Sequence, residues 1–296
     1  MAAIFGFFVV DKPQGMTSHD VVAGVRRGLN IRRVGHAGTL DPLATGILVV
    51  CVGGATRLSD YVMASIKTYQ AAIRLGETTD TYDAEGTILA RRPTDHLTTE
   101  AVTAALAAFQ GEIDQIPPMY SAIKQGGKKL YELARKGETV ERAARRVTLE
   151  TRLIRCTLPL LELEITCTAG TYIRSLAHDL GEALGVGGHL AALRRTRSGE
   201  ARDGVAWDVL KAAFASGTWG EFLTDEQKLL ASIPALHLSA EAAAHILHGR
   251  TFPAEADESG EVCRAYGTKG EFLAIVRRVG ALWTPEKVFG GADPPA

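Results

Sequence analysis

The sequence GILVVCVG, at positions 46–53, is a continuous apolar run with a glycine at each end. A short run without polar alternation is typical of a strand that is buried on both faces. The rest of the chain therefore has to cover both sides of this strand. A similar run, IFGFFVV at positions 4–10, is ended by DKPQG and predicts a second buried strand.

Strand and helix patterns interleave irregularly after these runs. Helices are predicted at 17–30, where Thr17 or Ser18 is the N-cap, at 97–111, where Gly111 is the stop, and at 171–185. Long strands are predicted for RRVTLETRLIRCTL and LLELEITC. Because the elements do not form regular βαβ units, the sequence predicts an α+β fold with a mixed, largely antiparallel sheet flanked by helices.

The sequence changes character near Ile233. Acidic segments and three short strand patterns, EVCRAYG, FLAIVRRV and ALWTP, follow this point. We therefore predict a catalytic domain at 1–232 and a small β-rich domain at 233–290. A length of 296 residues is sufficient for one large and one small domain.

Composition excludes several classes of protein. The formal net charge is −1, so any basic surface for a nucleic acid has to be local. The four cysteines contain no C-x-x-C pair, which argues against a zinc ribbon or a disulfide framework. No apolar run is long enough to cross a membrane, and the N-terminal run lacks a basic segment before it. We therefore expect a cytoplasmic protein without a membrane association.

The loop GHAGTLDPLATG, at 35–46, holds a single carboxylate, Asp41, between glycines. One interpretation is a simple turn, since Asp-Pro and glycine are common turn residues. The other is a rigid loop that holds a catalytic group against the buried strand that follows. His36 would then contact the same ligand. Local sequence leaves both interpretations open.

Several familiar active sites are disfavoured. No second carboxylate for paired acid–base chemistry lies near Asp41 in the sequence, and no serine has nucleophile-elbow spacing. The segment LGVGGHL does not satisfy G-x-G-x-x-G, which argues against a dinucleotide fold. The pair His245 and His248 has no third ligand nearby, so we interpret it as structural.

Basic residues occur in local clusters on both sides of the Asp41 loop: Arg26-Arg27, Arg32-Arg33, KQGGKK at 124–129, RAARR at 142–146 and RRTR at 194–197. Each cluster alone is typical of a solvated face. Their recurrence favours a surface that contacts a phosphate backbone.

The segment AGTYIRSL places Tyr172 and Arg174 at the start of a predicted helix. One interpretation is a core tyrosine and a surface arginine. The other is a ring that stacks on a base and an arginine that pairs with a carboxylate or a phosphate.

A family resemblance adds to this interpretation. The segment GHAGTLDPLATGILVVCVGGATRLSDYV resembles a signature of the bacterial TruB family of tRNA pseudouridine synthases. Further matching segments, in the same order, are VDKPQGMTSHDVV, KTYQAAIRLGETTDTYDAEG, QIPPMYSAIKQGGKKLYELARKGE and AGTYIRSLAHDLGEALGVGGHLAALRRTRSG. The resemblance covers roughly residues 4 to 210, and it is weaker for the C-terminal domain, which matches the family's PUA-like RNA-binding domain mostly by position and length.

The resemblance implies the pseudouridine synthase fold and isomerisation of uridine-55 in the T-loop of tRNA, without a metal or an organic cofactor. It also implies roles for single residues. Asp41 matches the catalytic aspartate, Tyr69 the tyrosine that stacks on the target base, and Arg174 the arginine that pairs with the aspartate. His36 matches the histidine that supports the flipped nucleotides, and Tyr172 and Leu193 match residues that line the base pocket. Lys12 matches a lysine whose implied role is packing or loop support.

The implied chemistry leaves the route open. The ionised Asp41 would attack C1′ of the ribose, remove the C2′ proton to give a glycal, or attack C6 of the base. A flipped base is needed because the enzyme works on the glycosidic bond. We expect the T-arm stem-loop of tRNA as the partner, no obligate protein partner, and a monomer.

Two alternatives remain open from the sequence. In the first, the protein is a module that unfolds and refolds tRNA and does not need the isomerisation of uridine for its effect. In the second, it is a relative of the archaeal and eukaryotic enzymes that use guide RNA on ribosomal RNA. The short chain without basic tails favours the stand-alone bacterial type.

Overall fold

The computed structural model describes residues 4–121, 123–125, 127–130, 133, 138, 140–255 and 260–289. Part of the KQGGKK cluster and most of the C-terminal tail therefore lie outside the described residues. In chain order the strands are β1 (Phe5–Lys12), β2 (Val34–His36), β3 (Thr45–Gly53), β4 (Lys67–Leu75), β5 (Glu77–Thr79), β6 (Ile88–Arg91), β7 (Gly111–Gln115), β8 (Lys124–Gln125), β9 (Lys128–Lys129), β10 (Arg145–Thr157), β11 (Leu160–Cys167), β12 (Gly188–Ser198), β13 (Val205–Ala206), β14 (Leu223–Thr224), β15 (Ala235–His237), β16 (Phe252–Pro253), β17 (Val262–Tyr266), β18 (Phe272–Val279) and β19 (Leu282–Val288).

The helices lie between the strands along the chain. Those that the structure describes are α1 (Ser18–Leu29), α2 (Ser59–Met63), α3 (Thr99–Leu106), α4 (Ile173–Ala183), α5 (Trp207–Ser216), α6 (Glu226–Leu229) and α7 (Ala240–Leu247). Short 3₁₀ helices occupy Gly54–Leu58, Ala107–Phe109 and Trp219–Phe222. None of the described helices is both long and apolar enough to span a lipid bilayer.

The main sheet has ten strands in the order β13-β1-β3-β12-β4-β11-β10-β7, with β14 and β2 paired to β1 and β3. All pairs are antiparallel except β1 with β13 and β3 with β12. The predicted α+β class with a mixed, largely antiparallel sheet is therefore confirmed. Strand β12, near the middle of this sheet, was not predicted, because its glycine-rich start and basic end conceal its alternation.

Strand β3 is buried on both faces, as its apolar run predicts. Leu48 and Val50 belong to one buried cluster, which also contains Val22 of α1 and Leu176 of α4. The intervening Ile47 and Val49 face a second cluster, which contains Val62 of α2 and Ile275 of β18. The apolar side chains of β3 therefore pack into one cluster or the other. A polar residue at alternate positions would lie inside one of these two clusters, which is why the run is continuously apolar.

Helix α1 has an N-terminal cap and one apolar face, and these two features explain why its sequence is helical. Thr17 is the N-cap, and it forms a capping box with Asp20. Val21, Val22 and Val25 are buried on one face. The helix predicted at 97–111 is shorter than expected, since α3 ends at Leu106, a 3₁₀ turn follows it, and Gly111 begins β7 with a φ of 74°.

A five-stranded sheet, in the order β15-β17-β18-β19-β16, follows the main sheet in the chain. The predicted β-rich C-terminal domain is therefore confirmed. It packs on the main domain through Phe289, whose ring lies 5.5 Å from that of Phe5, and through a hydrogen bond of 2.7 Å that Tyr61 donates to Glu286. The domain boundaries at 232 and 290 remain predictions.

Candidate active site

A cavity of about 790 Å³ opens where the N-termini of α1 and α4 approach the Asp41 loop. All six residues that sequence analysis assigned to a site line this cavity, although they come from five different parts of the chain. They are His36, Asp41, Tyr69, Tyr172, Arg174 and Leu193.

The Asp41 loop is held by short hydrogen bonds on both sides of the carboxylate. Leu40 donates its N–H to Ser18 Oγ at 2.8 Å and accepts from the same hydroxyl at 3.0 Å. The Pro42 carbonyl accepts from Gly15 N at 2.9 Å, and the Asp41 carbonyl accepts from Ala44 N at 3.1 Å. The loop is therefore a turn, and it also presents the Asp41 side chain, which is 42% exposed, to the cavity.

Arg174 is the nearest cation to this carboxylate. Its Nη2 lies 3.0 Å from Asp41 Oδ2, and its side chain is only 8% exposed. Two backbone carbonyls fix the guanidinium, since Nη2 donates to Tyr120 O at 2.8 Å and Nη1 donates to Thr81 O at 3.2 Å. A guanidinium held in this way fixes the carboxylate at a defined position.

Asp83 is a second carboxylate on Arg174, and sequence analysis missed it. Asp83 Oδ2 lies 3.5 Å from Arg174 Nη1, and the Asp83 side chain is 5% exposed. Its other oxygen accepts from Thr81 Oγ1 at 2.6 Å and from Glu85 N at 3.1 Å. The sequence places no second carboxylate near Asp41 along the chain, but the fold brings Asp83 to the same arginine. The inference that Asp41 has no carboxylate nearby is therefore wrong for the folded protein.

Backbone pairing explains how Asp83 reaches the site. Ala84 N donates to Leu190 O at 2.9 Å, and Leu190 N donates to Tyr82 O at 3.0 Å, so the loop after β5 is attached to β12. Tyr82 has a φ of 64°, and its ring stacks on His178 of α4 at 3.9 Å. The signal in the sequence was the segment DTYDAEG, whose acidic and glycine residues are typical of a structured turn.

Tyr69 projects from the middle of β4 and is 9% exposed. Burial raises the pKa of Tyr69, and the charge of Arg195 opposes this shift only in part. The phenol is therefore neutral at physiological pH. It supplies a flat aromatic face at the cavity, which suits contact with a base.

His36 and Tyr172 lie at the same cavity. Burial lowers the pKa of His36, and the charges of Arg195 and His19 lower it further, so the imidazole is neutral near pH 7. Within the described residues His36 Nδ1 has no hydrogen-bond partner. Tyr172 is fixed by Gln115, which accepts from Tyr172 N at 2.8 Å and donates to its carbonyl at 3.0 Å. Burial also raises the pKa of Tyr172.

Leu193 and Lys12 complete the surroundings. Leu193 is half-buried, and its carbonyl accepts from Thr45 Oγ1 at 3.4 Å. Lys12 is fully buried and donates to Met16 O at 2.6 Å and to Pro13 O at 2.9 Å. Burial lowers the pKa of Lys12, and the nearby Asp41 carboxylate opposes this shift. These bonds agree with the packing role that the resemblance implied.

The basic clusters do not all lie on a free surface. In the 194–197 cluster Arg195 is 1% exposed, Arg194 forms an ion pair with Asp11 at 2.7 Å, and Arg197 donates to Gly199 O at 2.7 Å. The interpretation of this cluster as a phosphate-binding surface is therefore wrong for Arg195, because β-strand alternation turns it into the protein. The 124–129 side chains lie outside the described residues.

No group of three or more potential metal ligands occurs among the described residues. His245, of the H-x-x-H pair, has its Nδ1 3.2 Å from Thr251 O, a backbone contact that agrees with a structural role.

Solved structures share this fold. One is an H/ACA RNP bound to a substrate RNA containing 2′-deoxyuridine, at a TM-score of 0.75 and 25% identity over 98% of this chain and 86% of that chain. Another is a Cbf5-Nop10-Gar1 complex, at a TM-score of 0.76 and 26% identity over 96% of this chain and 84% of that chain. This fold, together with the pseudouridylate synthase family model that residues 26–173 match, defines the class of pseudouridine synthases.

The family follows from sequence comparison. Residues 26–173 match the model of the TruB family pseudouridylate synthase N-terminal domain, and 174–233 match that of the tRNA pseudouridylate synthase B C-terminal domain. Curated relatives named tRNA pseudouridine synthase B include one from Ralstonia nicotianae, 44% identical over 96% of this chain and 94% of the relative. A second, from Thermobifida fusca, is 46% identical over 97% of this chain and 99% of the relative. The chain belongs to the TruB family, whose enzymes isomerise uridine in tRNA.

Proposed function

We propose that this enzyme converts uridine-55 in the T-loop of tRNA to pseudouridine, with Asp41 as the catalytic carboxylate. The observation that carries this proposal is the contact of 3.0 Å between Asp41 and the buried Arg174 at the wall of a cavity large enough for a nucleotide. Arg174 pairs with the carboxylate and holds it in place, and the cavity side of Asp41 remains open to a ligand.

The reaction is an isomerisation, so its atoms balance without a cofactor. The bond between N1 of uracil and C1′ of ribose breaks, a bond from C5 to C1′ forms, the C5 proton leaves, and N1 gains a proton. Asp41 serves as nucleophile or base in this sequence. Attack at C1′, removal of the C2′ proton and attack at C6 all remain compatible with one ionised carboxylate.

The uridine has to leave its stack to reach Asp41 through this cavity. Unstacking costs a few kcal/mol, which contacts with aromatic side chains offset. Tyr69 supplies the stacking face, and His36, as a neutral imidazole, supports the displaced nucleotides. Tyr172 and Leu193 line the pocket in which the freed uracil rotates, and their apolar surface excludes competing water.

We also propose that the enzyme acts alone, as a cytoplasmic monomer that uses neither guide RNA nor an obligate protein partner. The structures of similar fold are named as complexes with further components, so this alternative has to be tested directly. The domain at 233–290 is proposed to add RNA contacts, and the division of the chain at 232 is proposed as the functional boundary.

The function is tested with a bare T-arm stem-loop. Incubated with the purified enzyme alone, the stem-loop is expected to gain one pseudouridine at the position equivalent to 55, detected by mapping the modified base. The same RNA with that uridine replaced by cytidine is the control. Turnover that requires an added guide RNA, or modification at another uridine, would contradict the proposal.

We also propose a tRNA-folding activity beside the chemistry, which would use RNA contacts away from Asp41, and Arg145 is a candidate for such a contact. Arg145 is exposed in β10, and its charge lowers the pKa of Tyr172 against the larger effect of burial. Its neighbour Arg146 points to the other face, where its Nε lies 3.2 Å from Asp114 Oδ1. The two arginines therefore form a matched pair.

We expect Arg145→Glu to weaken binding of the stem-loop and to reduce the slope of log Kd against log salt by about one, as loss of one phosphate contact does. Arg146→Glu is the matched control, since Asp114 already neutralises Arg146, and it should change binding little. Equilibrium binding at several salt concentrations measures both. Equal effects of the two variants would refute the assignment of Arg145 to the RNA surface.

A further inference from the structure

Arg195 is an unusual buried residue in this fold. It lies in β12 with 1% of its surface exposed, and among the described residues its guanidinium is held by carbonyl oxygens. Nε donates to Ile47 O at 2.6 Å, Nη2 donates to Gly38 O at 3.1 Å, and Nη1 lies 3.5 Å from Thr39 O. A buried cation costs several kcal/mol unless such bonds compensate it.

The three carbonyls belong to the segment that carries Asp41. Gly38 and Thr39 come just before the carboxylate, and Ile47 comes after it in β3, so one guanidinium joins the two sides of the loop. Lysine could not replace this arrangement, because its ammonium lacks the planar fork that reaches several acceptors at fixed angles.

The backbone of Arg195 holds the same loop at Gly46. The two residues pair in the parallel ladder between β12 and β3. A Cβ atom at Gly46 would lie 2.2 Å from the Arg195 carbonyl oxygen, and the φ of Gly46 is 96°, so only glycine fits this approach. Loop and strand are therefore in contact through both side chain and main chain.

Arg195 also connects the loop to the stacking tyrosine. It is the cross-strand partner of Tyr69 in the β4–β12 ladder, so the two side chains lie next to each other on the same face of the sheet. Arg195 does not line the cavity, whereas Asp41 and Tyr69 both do. Arg195 therefore lies behind these two residues: its guanidinium is bonded to the segment that carries Asp41, and its backbone pairs with the strand that carries Tyr69.

We propose that Arg195 is a positioning residue, whose guanidinium sets the catalytic carboxylate of Asp41 relative to the ring of Tyr69. It touches no substrate and acts through the loop and the tyrosine. This inference rests on the proposed function of Asp41. It extends that proposal, because the residue that sets the positions of Asp41 and Tyr69 lies outside the cavity.

The test compares Arg195→Met and Arg195→Lys with the matched control Arg194→Met. Arg194 is the exposed neighbour that pairs with Asp11. The readouts are the single-turnover rate constant, from loss of tritium at C5 of a labelled stem-loop, and the Kd of the same RNA. Each variant is assayed well below its own melting temperature, so that unfolding does not lower the rate.

For Arg195→Met we expect a rate about 10²-fold lower with an unchanged Kd, since a displacement of about 1 Å at a reacting group has this effect. The rate of Arg195→Lys should lie between that of Arg195→Met and that of the wild type, and Arg194→Met should keep the wild-type single-turnover rate constant. If Arg195→Met does not fold, the ordered decrease from wild type to Arg195→Lys decides the question.

An unchanged rate in a folded Arg195 variant would overturn the proposal. A rate decrease matched by an equal rise in Kd would also overturn it, because that result indicates an RNA contact. Asp41→Asn in the same assay distinguishes a failure of the proposed function from a failure of the Arg195 proposal. Turnover by Asp41→Asn contradicts the proposed function, whereas an inactive Asp41→Asn with normal Arg195 variants contradicts only this inference.

Discussion

Asp41→Asn is expected to lower the rate of pseudouridine formation by a factor on the order of 10⁴ or more, the usual effect of removing a catalytic carboxylate or nucleophile. The amide keeps the size of the side chain but cannot act as a nucleophile or a base. Single-turnover conversion of the T-arm stem-loop measures the loss.

Binding provides the control for this variant. Asp41 Oδ2 contacts Arg174, and the loop is held by backbone and Ser18 bonds that the substitution leaves intact. The Kd of the stem-loop should therefore stay near the wild-type value. Measurable turnover by Asp41→Asn would exclude Asp41 as the catalytic group.

Arg174→Met is expected to damage both stability and chemistry. It removes the contact of 3.0 Å to Asp41 and the contact of 3.5 Å to Asp83. Asp83 is then left as a buried carboxylate without its cation, which typically costs about 3–5 kcal/mol of unfolding free energy. Loss of the charge beside Asp41 should lower the rate by about 10²–10³-fold. Urea unfolding and single-turnover assays measure the two effects.

The double variant Arg174→Met/Asp83→Asn separates the two effects. Neutralising Asp83 removes the uncompensated charge, so part of the lost stability should return. The rate should not recover, because Asp41 still lacks its guanidinium. A double variant that is no more stable than Arg174→Met would show that the ion pair to Asp83 contributes little, and recovery of the rate would exclude a direct role of Arg174 at Asp41.

Strand periodicity made β3 predictable. Its eight-residue apolar run requires a partner on each face, and the structure has a buried cluster on each face of the strand. The same reasoning failed for β12, where the segment RRTR was interpreted as a basic surface cluster. In a strand, neighbouring residues face opposite sides, so Arg194 reaches Asp11 at the surface while Arg195 enters the protein.

The two carboxylates that contact Arg174 show a second limit of prediction from sequence patterns. Asp41 was recognisable from its loop, but Asp83 is far from it in the chain and was excluded by a search of the local sequence. Pairing of the segment around Tyr82 with Leu190 brings Asp83 to the guanidinium. Such a contact depends on long-range strand pairing, which no short motif encodes.

The sequence by itself determined the buried strands β1 and β3, the long strands β10 and β11, the helices α1 and α4 and, with its family motifs, six of the residues that line the cavity, because periodicity and motif chemistry are local properties of the chain. Only the tertiary structure decided which layer covers each face of β3, that Arg174 is shared by two carboxylates, and that Arg195 lies buried behind the Asp41 loop. The physical reason is that a side chain's partners depend on strand register and packing, and these bring together residues that are distant in the chain.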